Sequence, residues 1–242
     1  MKPCATFFDF TPDDLWDAWT RVEENCGCGG VDGVTIDAFA EDAQKRLKLL
    51  LESVQQESYR ALPLLKIVVE KSPGSGRMRR LLVPALADRV LQTAAARRLS
   101  RSFEEEFLDA SFAYRPGRSV DRAIARVGQL RALGFRHIVQ ADIEGFFDNV
   151  DQEQLLAMLA AEKPSPCLMD LLRQWVKACY WDGRRVRLVE KGIAQGSPLS
   201  PLLANFFLEP FDVAMEKSGN HLVRYGDDFL VLCRTPVDSG AR

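Results

Sequence analysis

Twice in this chain an apolar, strand-like run ends in an acid. The segment His137 to Ile143 is short and β-prone and carries Asp142 at its end, while His221 to Arg224 and Phe229 to Cys233 flank Tyr225-Gly226-Asp227-Asp228 as the arms of a hairpin. A carboxylate at the end of an apolar strand is costly unless it is solvated or meets positive charge. If these strands are neighbours in one sheet, the acids converge on one edge. Oxygen ligands without histidine or thiolate suit Mg²⁺, which keeps waters and binds through one or two carboxylates plus substrate phosphates. Two such ions about 3.5 to 4 Å apart activate an attacking oxygen and stabilise a leaving one in an in-line displacement at phosphorus. Asp-Asp turns also occur on ordinary surfaces, so the rest of the sequence has to supply the context.

The formal net charge of -2 runs against phosphate binding, which favours an excess of Lys and Arg. The average conceals an asymmetry: Arg60 to Arg136 holds 16 Lys and Arg against 7 Asp and Glu, half of the chain's 32 basic residues. At 242 residues the chain is long enough for one large domain or two smaller ones. Cys4, Cys26, Cys28, Cys167, Cys179 and Cys233 are scattered, and the histidines are His137 and His221, so zinc is poorly supported and reduced thiols are expected. No apolar run reaches the roughly 18 to 20 residues of a membrane span, nor does the N-terminus show a charged-then-apolar signal, which places the chain in the cytoplasm with no membrane partner.

Local patterns predict a mixed chain. Thr11-Pro12-Asp13-Asp14 opens a helix with Trp16, Trp19 and Val22 on its core stripe, and a second amphipathic helix runs from Asp37 through Phe39, Ala43, Leu47, Leu50 and Val54. Leu65 to Glu70 and Met78 to Val83 form a hairpin whose tip and second strand carry Lys71, Arg77, Arg79 and Arg80. Helices follow after Pro84, after Ser119 and after Asp151, then from about Cys167 to Tyr180, a strand-like piece at Arg185 to Val189, and a long apolar helix from Pro198.

Three motifs in order carry a resemblance. Asp142-Ile143-Glu144-Gly145-Phe146-Phe147-Asp148, then Gln195-Gly196-Ser197-Pro198-Leu199-Ser200-Pro201-Leu202-Leu203-Ala204-Asn205, then Tyr225-Gly226-Asp227-Asp228 resemble the polymerase motifs of reverse transcriptases. Gly30-Val31-Asp32-Gly33, Val83-Pro84 with Asp88-Arg89, and Ser111 through Ser119 are similar to the group II intron lineage; the Ser111 to Val120 and Leu222 to Tyr225 runs look most like its CRISPR-associated branch. The resemblance implies an α+β fold, the fingers and palm of a right-hand polymerase, with a small antiparallel palm sheet backed by helices. It implies an N-terminal extension and fingers over 1–104, and a palm over 105–242, with 152–190 returning toward the fingers and the chain ending before a thumb.

The implied activity is RNA-directed DNA synthesis, adding dNTPs to a DNA or RNA primer on an RNA template. Asp142, Asp227 and Asp228 are then the metal-site acids, with the Ile143 carbonyl as a further ligand for two Mg²⁺ ions, or Mn²⁺ in their place. Lys71 and Arg79 match the positions that clamp the triphosphate, with Arg77 and Arg80 as rivals. Phe147 matches the residue under the sugar, where a large ring excludes a ribose 2′-hydroxyl, and Gln195 and Gly196 match a turn beside nucleotide and template. Arg115 and Arg118 are assigned to the template backbone. Gly226 stands where relatives have alanine, and Ala194 where many have proline. A CRISPR spacer integrase and a group II intron RNA are the alternative partners. An RNA-dependent RNA polymerase, which also uses a Gly-Asp-Asp turn, and a non-catalytic nucleic-acid-binding module are the competing readings.

Overall fold

The computed structural model describes residues 10–70, 72 and 74–235. In chain order its elements are α1 (Pro12–Glu24), α2 (Ile36–Ala40), α3 (Ala43–Gln55), β1 (Leu64–Glu70), β2 (Met78–Val83), α4 (Leu86–Phe103), α5 (Val120–Ala132), β3 (His137–Asp142), α6 (Phe146–Asn149), α7 (Gln152–Ala161), α8 (Pro166–Val176), β4 (Cys179–Trp181), β5 (Val186–Leu188), α9 (Ser200–Lys217), β6 (His221–Tyr225) and β7 (Asp228–Cys233). They gather into two compact units, one comprising the chain up to Arg98 with Phe147–Ser200, the other Leu99–Phe146 with the chain from Pro201 on. No helix among the described residues is long and apolar enough to cross a membrane.

In the first unit, Thr11 caps α1 with a full capping box to Asp14, and Pro12 occupies the first turn. The buried face is Leu15, Ala18, Trp19 and Val22; Trp16, expected in that stripe, is 50% exposed because the core lies one position earlier on the helix. The single helix expected from Asp37 is two. Thr35 caps the five-residue α2, which ends at Ala40, and α3 starts afresh after Asp42, a break that lets Phe39 stack on Trp19 with ring centroids 4.5 Å apart.

The expected hairpin is present, pairing Leu65 with Val83 through Glu70 with Met78. It belongs to a four-stranded sheet of order β2-β1-β4-β5. The helix expected to reach Tyr180 stops at Val176, because Tyr180 and Trp181 pair in parallel with Leu64 and Leu65. That pairing joins residues more than a hundred positions apart and overrides local helical preference.

The second unit is built on a three-stranded antiparallel sheet of order β3-β7-β6. Alternation sends Val223, Leu230 and Leu232 to one face, packed with Ala123, Val127 and Leu130 of α5, and Leu222, Phe229 and Val231 to the other, packed with Phe211 and Met215 of α9. The sheet is thus covered on both faces, which leaves its ends as the places where polar groups can meet water.

Candidate active site

At one end of this sheet the acids meet. Residue pairing sets Asp142 of β3 directly opposite Asp228 of β7, and Tyr225 of β6 opposite the same Asp228. The Ile143 amide donates to the Asp227 carbonyl at 3.3 Å, tying the end of β3 to the turn. Gly226 takes φ +73, a left-handed conformation that glycine adopts without steric cost. Asp142 and Asp228 are exposed and Asp227 is partly so. Partial burial, and then the negative charges of Asp142 and Asp227, hold the Asp228 carboxyl above its ordinary value. Three acids that repel one another in this way are a set that a cation would relieve. Among the described residues, no three His, Cys, Asp or Glu side chains are gathered closely enough to hold a metal ion by themselves.

The Ile143 carbonyl accepts from the Phe146 amide at 3.2 Å, and a carbonyl retains a second lone pair after one such bond.

In the first unit, several expected nucleotide-binding residues share a neighbourhood. The Phe147 carbonyl accepts from the Ile193 amide at 2.7 Å, and a Cβ on Gly192 would lie 2.5 Å from that same oxygen, so glycine is what permits the approach. The Gln195 carbonyl accepts from the Leu82 amide of β2 at 2.7 Å, and a Cβ on Gly196 would come within 3.0 Å of the Leu82 carbonyl. On β2 itself, Arg80 pairs with Asp148 at 2.6 Å, while exposed Arg79 has no ion-pair partner among the described residues. Lys71 lies outside the described residues.

The two arginines expected at the template are differently placed. Arg115 is buried, chelating Glu104 at 3.0 Å and donating to the carbonyls of Leu108 at 2.5 Å, Ser111 at 2.9 Å and Phe107 at 3.3 Å. Its donors are consumed in fixing the loop before α5. Arg118 lies 5.4 Å over the Phe112 ring and pairs at 2.5 Å with the exposed Asp109, whose carboxyl it draws down.

A sequence profile described as "Reverse transcriptase (RNA-dependent DNA polymerase)" matches residues 69–240. The chain belongs to the reverse transcriptase family. Protein YkfC of Escherichia coli K12 is 32% identical over 76% of this chain and 49% of its own length, and the group II intron-encoded protein LtrA of Lactococcus lactis is 30% identical over 83% of this chain and 33% of its own. This reverse transcriptase chain therefore spans about half or less of the curated relatives it matches. Among solved structures, a partial Cas6-RT-Cas1–Cas2 complex aligns with a TM-score of 0.57 and 27% identity, covering 93% of this chain and 37% of that one. Telomerase from Candida tropicalis shares the fold at a TM-score of 0.53 and 11% identity. The mixed α+β architecture is that of reverse transcriptase fingers and palm, and the family works with divalent metal ions.

Sequence reasoning missed the group beneath the catalytic-type turn of this reverse transcriptase. Arg224, whose side chain is 1% exposed, bonds Asp212 of α9 through two nitrogens at 2.8 and 2.5 Å. Its remaining nitrogen donates to Asn205 Oδ1 at 2.9 Å and to the Gly226 carbonyl at 3.0 Å, and Asn205 Nδ2 donates to the Ala113 carbonyl at 2.8 Å. A signal was available: an arginine next to the apolar pair Leu222-Val223 is costly to bury without a partner.

Proposed function

We propose that the chain is the nucleotidyl-transfer core of an RNA-directed DNA polymerase, with Asp142 and Asp227 as principal ligands of two Mg²⁺ ions and Asp228 and the Ile143 carbonyl as further ligands. The observation that carries this is the pairing of Asp142 with Asp228 at the end of the three-stranded sheet, which gathers the acids from two distant segments. Mg²⁺ fits the all-oxygen donor set and the mutual repulsion at Asp228, and when bound it would lower the pKa of the attacking hydroxyl and neutralise charge on the phosphates. Mn²⁺ is the natural substitute.

The chain's own groups supply positioning. Arg79, with the guanidinium fork left open, takes triphosphate oxygens together with Lys71, whereas Arg80 is engaged by Asp148. Phe147, its backbone carbonyl held by the Ile193 amide, sets the wall under the sugar and selects deoxynucleotides. Gln195 and Gly196, anchored on Leu82, hold the nucleotide and template side. Arg118 is the template contact kept here; Arg115 acts through the loop that it organises.

Primer, RNA template and dNTPs are the substrates. A CRISPR spacer integrase is supported as partner by the Cas6-RT-Cas1–Cas2 alignment, and an intron RNA by the likeness to LtrA. The test is extension of a primer on RNA with Mg²⁺ and labelled dNTPs. Metal-dependent extension that disappears in Asp142→Ala supports the reading; no extension, or equal extension by both proteins, overturns it.

A further inference from the structure

Arg224 occupies an unusual position for a buried cation. It lies two residues before Gly226, yet its side chain turns away from the strand into α9 and returns one nitrogen to the turn's own backbone. A buried ion pair is a poor device for stability alone, because desolvation offsets most of the attraction. Here the pair also does something an apolar pair could not: with Asp212 fixed at two points, the third nitrogen of the guanidinium holds the carbonyl of Gly226 at 3.0 Å. Gly226, at φ +73, has the freedom to rotate that carbonyl elsewhere. Asn205 shares the same nitrogen at 2.9 Å and is itself anchored on the Ala113 carbonyl, so the clamp is braced from a second side. The strand edge adds a further hold: the Arg224 amide donates to the Ala110 carbonyl at 2.8 Å and the Phe112 amide to the Arg224 carbonyl at 2.9 Å.

We propose that Arg224, locked by Asp212 and Asn205, is a positioning residue that fixes the peptide between Gly226 and Asp227 and thereby the direction of the Asp227 carboxylate toward metal. The inference rests on the polymerase reading for its metal site. The physical logic is that groups behind a metal ligand orient it, and their loss weakens metal binding while leaving the ligand in place.

The test measures Mn²⁺ binding by electron paramagnetic resonance, thermal unfolding, and the Mg²⁺ concentration for half-maximal primer extension, in wild type, Asp142→Asn, Arg224→Lys and the double variant Asp212→Leu/Arg224→Met. The double variant leaves neither member of the ion pair behind as an uncompensated buried charge, which favours folding while the clamp is removed. Lysine keeps the charge opposite Asp212 but has no planar fork to span Asp212 and Gly226 together; it is the variant to read if the double one does not fold.

Mn²⁺ affinity about tenfold weaker in a folded variant, with a matching rise in the Mg²⁺ requirement, is the expected result. A folded variant with wild-type Mn²⁺ affinity overturns the positioning role, whether or not extension occurs. Wild-type protein that binds Mn²⁺ through Asp142 yet extends nothing removes the polymerase reading alone, and the variants' Mn²⁺ affinities then decide the clamp. Wild-type protein that binds no Mn²⁺ removes both.

Discussion

In the four-stranded sheet, β2 presents Met78, Arg79 and Arg80 to solvent, while in the three-stranded sheet β3 and β7 end on Asp142 and Asp228 against a turn that Arg224 braces from below. The cations and the carboxylates are held to different standards. An arginine reaches a phosphate on a long stem and needs an exposed strand and little more. A carboxylate has a short stem, so its use as a ligand depends on register, on the turn and on what lies behind the turn. Substitutions at the acid edge are therefore expected to abolish chemistry, and those along β2 to weaken binding in proportion to what each arginine holds.

The largest effect is expected at the acids. Asp142→Asn or Asp227→Asn should lower single-turnover extension by about 10³-fold, since metal-assisted charge stabilisation is worth several kcal/mol and each 1.36 kcal/mol is tenfold. Thermal unfolding should change little, because the substitution also removes repulsion at Asp228. Loss of fold in both would break the contrast between a functional edge and a structural one.

A carboxylate buried in the first unit sharpens the comparison from another side. Asp88 is 2% exposed and accepts from the Tyr59 hydroxyl and, at 3.3 Å, from the Leu62 amide, with no cation paired to it among the described residues. Burial pushes it up to about 6. A folded-state value above the unfolded value of about 3.9 means that the native state holds its proton longer, so stability falls as pH rises from about 4 to about 6 and is level above that. The loss amounts to roughly 3 kcal/mol. Urea unfolding across pH 4 to 8 should show this slope in wild type and not in Asp88→Asn; parallel curves would show that Asp88 is not its source.

Arg79→Ala should raise the KM for dNTP by about 10- to 100-fold, the range of one charge-assisted hydrogen bond, and Arg80→Ala by less because Asp148 already engages it. Equal effects at the two positions would mean that the strand's exposure, not the pairing with Asp148, governs phosphate contact. The smallest effect concerns sugar choice: Phe147→Val should admit ribonucleotides with little loss on deoxynucleotides, a shift of about 1 kcal/mol, the low end for a small change in a hydrophobic pocket. Competition between dNTP and rNTP in the extension assay reads it directly.

What could be read in the sequence was mostly local. The Thr11 cap, the hairpin of β1 and β2, Ser119 before α5 and the strands around Tyr225 all follow from turn chemistry and period, and the structure has each of them. The convergence of Asp142 with the Asp227-Asp228 turn was legible only as a condition, that the strands be neighbours, and the β3-β7 pairing meets it. Long-range effects were not legible. The parallel pairing of Tyr180 with Leu64 shortened α8, and the exposure of Trp16 depended on which neighbour α1 met. Arg115 in an arginine-rich loop gives no sign that Glu104 and three carbonyls consume it. Asp212 and Asn205, both on α9, are joined through Arg224, and no spacing rule connects a helix to the strand beyond the next turn.

Crystals of the protein grown with Mn²⁺ and a non-hydrolysable deoxynucleoside triphosphate would put the acid edge to its most direct trial. Anomalous scattering should appear within bonding distance of the Asp142 and Asp227 oxygens and vanish at that edge in Asp142→Asn. Manganese bound elsewhere while these carboxylates stay bare, or density unchanged by the substitution, would contradict the assignment of this sheet end as the metal centre.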